Sequence, residues 1–162
     1  MKILLAVDGS QCSDAAVEEV GRRPWPDGSS ILVLTTFELP SPPTAETWAL
    51  PINFFEELDL ALQKQARNVV ERAVEKLKPQ LNKTISLDAR ILPGPPQSVI
   101  LDEAEDWRAD LIVVGSHGYH AWKRFLLGSV SHSVVSHAKC SVEVVRCRSA
   151  IEQAKLEQKE KS

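Results

Sequence analysis

Two glycine-containing segments in the second half of the chain have the residue types best suited to chemistry. Gly115-Ser116-His117-Gly118 ends an apolar run, and Gly128-Ser129 follows it after nine further residues. Glycine lets the backbone turn sharply and lets a bound group come close, because it has no Cβ. The unpaired amides at a helix start favour an anion. The pair of segments predicts two backbone walls around a phosphate chain, although it also fits a tight turn and an ordinary helix cap at Ser129.

Two better-known phosphate-binding patterns do not fit these segments. A P-loop needs a Gly-Lys-Ser or Gly-Lys-Thr triplet, and the sequence contains neither. The dinucleotide fingerprint has a different glycine spacing and follows the first strand, whereas Gly115 ends the predicted fourth strand. The glycine loop is therefore predicted to be a different kind of phosphate site.

A carboxylate at the end of the first predicted strand supplies a second feature. Asp8 stands in the segment Val7-Asp8-Gly9-Ser10, just before the first predicted helix. A carboxylate in this place can accept hydrogen bonds from both ribose hydroxyls, or it can simply form a turn or cap a helix. If the first and fourth strands are neighbours, Asp8 faces the glycine loop at the switch point where open α/β sheets bind ligands.

Strand and helix patterns alternate along the chain and would position these residues. Continuous apolar runs predict strands covered on both faces, and an alternating segment predicts an edge strand; in chain order the five are Lys2–Val7, Ile31–Phe37, Thr84–Ile91, Asp110–Gly115 and Ser141–Arg146. Amphipathic spacing predicts helices over Ser13–Gly21, Phe54–Leu77, Pro96–Trp107 and Ser129–Ala138. We expect a Rossmann-like, doubly wound α/β fold: one five-stranded parallel sheet in the order 3-2-1-4-5, with helices on both faces.

The length of 162 residues fits one domain, which we place at residues 1–148, followed by a polar tail over residues 149–162. The segment from Glu38 to Asn53 contains four prolines and is predicted to be a long loop, either a plain connector or a functional lid.

Charge and composition argue against several classes of partner. A net charge of -3 gives no electrostatic footprint for nucleic acid or an anionic membrane. No apolar run approaches the roughly 20 residues that span a bilayer, and the start of the chain does not resemble a signal peptide. We therefore expect a cytoplasmic protein. The three cysteines and four histidines lack metal-like spacing, so we predict no metal site and independent thiols in a reducing compartment.

The spacing Gly115-x2-Gly118-x9-Gly128-Ser129 resembles the nucleotide motif of the ATP-binding branch of the universal stress protein family. The opening segment from Ile3 to Ser10 is similar to that family's first strand, and the order of elements agrees to about residue 146.

The resemblance implies a role for each matching residue. Asp8 would hold the ribose, and Val7 and Thr36 would meet the adenine. The ribose and phosphates would be enclosed by Gly115, His117 and Gly118, and the phosphate tail would be bound by Gly128, Ser129, Val130 and Ser131. The ligand would be ATP, ADP or AMP, and the phosphates would hold any Mg²⁺. The resemblance also implies a homodimer through the strand from Val142 to Val145.

The predicted function is that of a regulatory protein that binds an adenine nucleotide during stress responses. The sequence offers no convincing general base or activated nucleophile, so we assign no catalytic residue and expect at most slow ATP hydrolysis. Two alternatives stay open. One is a slow ATPase or nucleotidyl transferase that uses Ser129, Ser131 or His117. The other is a nucleotide-free dimeric interaction protein.

Overall fold

Five strands and four helices alternate along the chain in a computed structural model that describes residues 1–38, 54–118 and 127–147. The elements are β1 (Lys2–Ala6), α1 (Gln11–Arg22), β2 (Ser30–Phe37), α2 (Phe54–Leu77), β3 (Ser86–Pro93), α3 (Pro96–Asp106), β4 (Leu111–Gly115), α4 (Ser129–His137) and β5 (Ser141–Val145). Every predicted element is present. Of the proline-containing loop, the structure describes residue 38 alone. The whole predicted tail lies outside the described residues.

All five strands run parallel, in the order β3-β2-β1-β4-β5. The predicted fold class and strand order are therefore confirmed. The central strand β1 has β2 on one side and β4 on the other, so that Leu4 lies opposite both Leu32 and Ile112. This order makes β1 and β4 neighbours although they are far apart in sequence.

The apolar side chains of the sheet form a core on each face. Because successive side chains of a strand point to opposite faces, Ile3 and Leu5 pack with α1 and α2, whereas Leu4 packs with α3 and α4. All three are fully buried. Burial of one such side chain contributes about 1.5–3 kcal/mol, so the two cores hold the strand ends in fixed positions.

The edge strand β3 begins and ends two residues later than the predicted range, Thr84–Ile91. Its ends are set by pairing with β2, which places Ser86 opposite Ser30 and Pro93 opposite Phe37. Alternation of polar and apolar residues cannot show where such a register stops. A proline is tolerated here because an edge strand has one unpaired side.

An ion-pair cluster ties the last strand to the first helix. Two nitrogens of Arg23 donate to the two carboxylate oxygens of Glu143 at 2.7 and 2.8 Å, and Arg23 also pairs with Glu19 at 2.8 Å. The hydrogen bond from Arg23 is the main cause that lowers the pKa of Glu19. The pKa of Arg23 is raised mainly by its hydrogen bond to Glu143 and, to a smaller extent, by its hydrogen bond to Glu19. Charge-assisted bonds therefore hold β5 against the end of α1.

Within the described ranges, each helix is too short or too polar to cross a bilayer.

Candidate functional site

A cavity of about 460 Å³ opens at the carboxyl ends of the strands, where β1 and β4 are neighbours. Its lining includes all ten residues that the sequence predicted for a nucleotide site: Val7, Asp8, Thr36, Gly115, His117, Gly118, Gly128, Ser129, Val130 and Ser131. The fold thus brings together residues from both halves of the sequence. The contact of each residue with a ligand stays a prediction.

The turn after β1 fixes the position of the Asp8 carboxylate. The Ser10 amide donates to Asp8 Oδ1 at 2.9 Å. The amides of Asp8 and Gly9 lie 3.2 and 3.4 Å from the Ser13 hydroxyl oxygen, which accepts from them. Gly9 has a φ of 83°, in the left-handed region that glycine adopts without strain. These bonds explain why Gly9, Ser10 and Ser13 follow the carboxylate so closely in sequence.

The second oxygen of Asp8 lies against the glycine loop. A Cβ added to Gly118 would be 2.7 Å from Asp8 Oδ2. Any other residue at position 118 would therefore push the carboxylate aside. The absence of a side chain at Gly118 allows the carboxylate and the loop to occupy the same corner of the cavity.

Position 115 requires glycine for a different physical reason. A Cβ at this position would lie 2.7 Å from the carbonyl carbon of Cys12 and 2.8 Å from the Ser13 amide nitrogen. The end of β4 therefore packs directly on the backbone of α1. The sequence predicts that Gly115 leaves room for a ligand. In the structure, the missing side chain leaves room for the first turn of α1.

A hydroxyl group joins the two loops that enclose the cavity. Ser10 accepts from the Ser13 amide as the N-cap of α1. Its hydroxyl also donates to the His117 carbonyl oxygen at 3.3 Å. The imidazole of His117 lies with Nδ1 3.1 Å from the hydroxyl of buried Ser116. Ser10 thus positions the glycine loop relative to Asp8, a role that the sequence analysis did not assign.

The start of α4 forms the opposite wall. The Gly128 amide donates to the Ser116 carbonyl at 2.9 Å, and the buried Ser131 hydroxyl lies 3.0 Å from the carbonyls of Ser116 and Gly128. These two groups were expected to bind phosphate, but here they connect the helix to the glycine loop. No side chain caps the helix. Among the described residues, no acceptor meets the amides of Ser129, Val130 and Ser131, and unpaired amides at a helix start favour an anion.

The rest of the lining comes from residues that were not predicted. The ends of β1, β2 and β4 and the start of α3 contribute mostly apolar groups; the additional residues are Ala6, Ser13, Leu34, Thr35, Glu38, Pro96, Ile100 and Val114. A mostly apolar pocket with a few convergent polar groups is the usual form of a small-molecule site. Leu34 lies two positions before Thr36. Since residues two apart in a strand share a face, Leu34 could have been predicted as a lining residue from Thr36.

One expectation about the cysteines is wrong. The structure joins Cys12, in the first turn of α1, to Cys147, two residues after β5, in a disulfide. The sequence predicts three independent thiols, from an odd number of cysteines without metal-like spacing. The two bridging cysteines are 135 residues apart, so no local pattern connects them. Cys140 is half-buried and unpaired in the described part of the chain, and burial is the main cause that raises the pKa of its thiol.

The open parallel sheet, with a cavity at its switch point, defines a doubly wound α/β protein. Comparison with known proteins gives its family. Residues 1–146 match the universal stress protein family. A universal stress protein from Thermus aquaticus is 35% identical over 147 residues, which are 89% of this chain and 97% of that protein. The chain therefore belongs to the universal stress protein family.

Solved structures of this family share the fold. The universal stress protein UspA from Lactobacillus plantarum superposes with a TM-score of 0.74 at 26% identity, covering 90% of this chain and 97% of that one. A family member from Arabidopsis thaliana, solved with AMP bound, gives a TM-score of 0.65 at 20% identity and covers 91% and 92%.

Proposed function

We propose that this protein binds an adenine nucleotide in the cavity between β1 and β4 and acts as a regulatory binding module in stress responses. The observation that carries the proposal is the convergence of three features in one cavity. These are the Asp8 carboxylate, the loop from Gly115 to Gly118, and the amides at the start of α4, which meet no acceptor within the described part of the chain. The first suits ribose hydroxyls, and the other two suit phosphates.

The cavity has a suitable size and character for such a ligand. Its volume of about 460 Å³ lies within the range of roughly 300–1,000 Å³ that is typical of small-molecule sites. We assign the apolar walls from Leu34, Ile100 and Val114 to the adenine ring and the polar end to the ribose and phosphates. A family member of the same fold has been solved with AMP bound, which supports an adenine nucleotide as the ligand. Mg²⁺, when present, is held by the phosphates and water in this proposal.

Further features of the proposal concern the protein as a whole. We assign residues 1–148 to the nucleotide-binding domain and residues 149–162 to a polar tail. We place the protein in the cytoplasm, where adenine nucleotides are abundant, and we propose that two copies pair through β5. We propose that the function is binding with little turnover, because the sequence offers no convincing general base or activated nucleophile.

Nucleotide extraction tests the central claim. Acid extraction of freshly purified protein, followed by chromatography, is expected to release an adenine nucleotide, and added Mg-ATP is expected to raise the melting temperature of stripped protein. Empty extracts together with an unmoved melting temperature would refute the proposal. Release of phosphate from excess ATP at roughly 1 per second or faster would show an enzyme instead of a binding module.

A further inference from the structure

Cys12 and Cys147 form a covalent bridge beside the proposed nucleotide cavity. Their Cα atoms are 4.6 Å apart although 135 positions separate them in sequence. This distance lies within the usual range of about 4.4–6.8 Å for disulfides. Both residues are buried, at 5% and 7% exposure. The fold therefore holds the two sulfur atoms close together without any help from chain proximity.

Cys12 and the strand that leads to Cys147 both contact the same short segment, Gly115 and Ser116. At one end, the Cys12 carbonyl packs on Gly115, and the Ser116 hydroxyl lies 3.6 Å from Cys12 Sγ. At the other end, the Ser116 amide donates at 2.8 Å to the carbonyl of Val145, two residues before Cys147. A change in the bridge therefore acts directly on Gly115 and Ser116, where β4 enters the glycine loop.

We propose that Cys12 and Cys147 are a reversible redox site that controls nucleotide affinity. In the cytoplasm, disulfides are rare, and those that form are usually transient and redox-sensing. The oxidant in this proposal is a small-molecule disulfide such as oxidised glutathione. One cysteine thiolate attacks it and releases one thiol, and the second cysteine then attacks the mixed disulfide and releases the other. Two protein thiols become one disulfide, and the small disulfide becomes two thiols.

The direction of the effect follows from what the bridge holds in place. The first turn of α1 carries Ser13, whose hydroxyl accepts from the amides of Asp8 and Gly9. Oxidation fixes this turn against the end of β5 and so keeps the Asp8 carboxylate in position. Reduction releases the turn. The oxidised protein therefore binds the nucleotide more tightly, and by linkage the nucleotide favours the disulfide by the same factor. This coupling rests on the proposed function, whereas the redox site takes from it only the cytoplasmic location.

The redox site is tested in a Cys140→Ser background, which leaves only the two bridging cysteines. After equilibration with oxidised glutathione, alkylation and mass spectrometry are expected to find no free thiol; after reduction they are expected to find two. Because the bridge closes a long loop, oxidation is expected to raise the melting temperature by roughly 5–15 °C. A further Cys147→Ser substitution should abolish that rise. Two free thiols after oxidation of folded protein, or bridges only between molecules, would overturn the proposal.

The coupling is tested by titrating Mg-ATP into the oxidised and reduced forms of the same variant. We expect the oxidised form to bind roughly fivefold or more tightly. Addition of Cys147→Ser should give the affinity of the reduced form under both conditions. Equal dissociation constants for the oxidised and reduced forms would overturn the control of affinity. Absence of ATP binding in both forms would refute the proposed function and the coupling together, while the thiol measurement would still decide whether the redox site exists.

Discussion

Gly118 lies so close to Asp8 that a Cβ at position 118 would be 2.7 Å from the Asp8 Oδ2 atom. The two residues stand on different loops, one after β1 and one after β4. They form a single unit in which the glycine leaves room for the carboxylate. The behaviour of variants at either position therefore depends on the other.

Gly118→Ala is expected to weaken Mg-ATP binding about tenfold, because the added methyl group displaces the Asp8 carboxylate. Such a loss corresponds to about 1.4 kcal/mol of binding free energy. The melting temperature should change little, since the contact is with the end of a side chain. Calorimetric titration measures the affinity. In an Asp8→Ala background, Gly118→Ala should weaken Mg-ATP binding much less. Fully additive losses of binding free energy would contradict the pairing of the two residues.

Asp8→Asn is expected to remove discrimination between ATP and 2′-deoxyATP. Hydrogen bonds to a charged group contribute about 1.5–3 kcal/mol, so the wild type should prefer ATP by roughly tenfold or more. Asparagine keeps an oxygen that can accept from the Ser10 amide, so the turn should survive. Competition binding measures the ratio of the two affinities.

Asp14→Asn is the matched control for that experiment. Asp14 lies on α1, where it pairs with Lys76 at 3.0 Å, and it is not among the residues that line the cavity. Its substitution should leave the ATP to 2′-deoxyATP ratio unchanged. A ratio that stays at the wild-type value in Asp8→Asn would remove Asp8 from the ribose site.

Gly115→Ala is expected to destabilise the fold itself. The new Cβ would meet backbone atoms of Cys12 and Ser13 at 2.7–2.8 Å, and backbone cannot move aside as a side chain can. Overpacking of this kind costs about 1–3 kcal/mol. Urea unfolding measures the loss of stability. If stability were unchanged and only ATP binding were lost, the reason for this glycine would be the ligand and not the helix.

Val144→Pro is expected to convert the proposed dimer to a monomer. The Val145 carbonyl accepts from Ser116 on the β4 side, so the backbone groups of Val144 point away from β4. Proline there removes an outward amide, a change that an edge strand tolerates. Light scattering should give about twice the chain mass of 17.9 kDa for the wild type and for Val144→Thr, which keeps the amide. A monomeric wild type would contradict the dimer.

Local patterns were sufficient to predict most of the fold. Apolar residues at three- and four-residue steps predicted α2 with its observed bounds, Phe54–Leu77. The helix α1 begins at Gln11 after the capping residue Ser10, two residues before the predicted start at Ser13. The strand order 3-2-1-4-5 was assumed as a usual order of doubly wound sheets, and the structure confirms it. The observed end of β3 at Pro93 needed the register with β2, which no local pattern contains.

Contacts between distant segments account for what sequence reasoning missed in the site. Glycine at position 115 was recognised as necessary, but its partner on α1 is about a hundred positions away in sequence. The Ser131 hydroxyl was assigned to phosphate, yet it donates to the backbone of the glycine loop. The bridge from Cys12 to Cys147 was not considered. In each case the residue type was informative, and the partner became visible only in the folded chain.

The parallel pairing of β1 with β4 has a consequence for the order of events during synthesis. Leu4 and Ile112 meet across the sheet although more than a hundred residues lie between them, and such distant pairings form late. The proposed nucleotide site also includes the amides of Ser129 to Ser131. If a nucleotide binds there as proposed, a growing chain cannot gain stability from it until the start of α4 has left the ribosome. Ligand binding would then distinguish a completed domain from every shorter nascent chain.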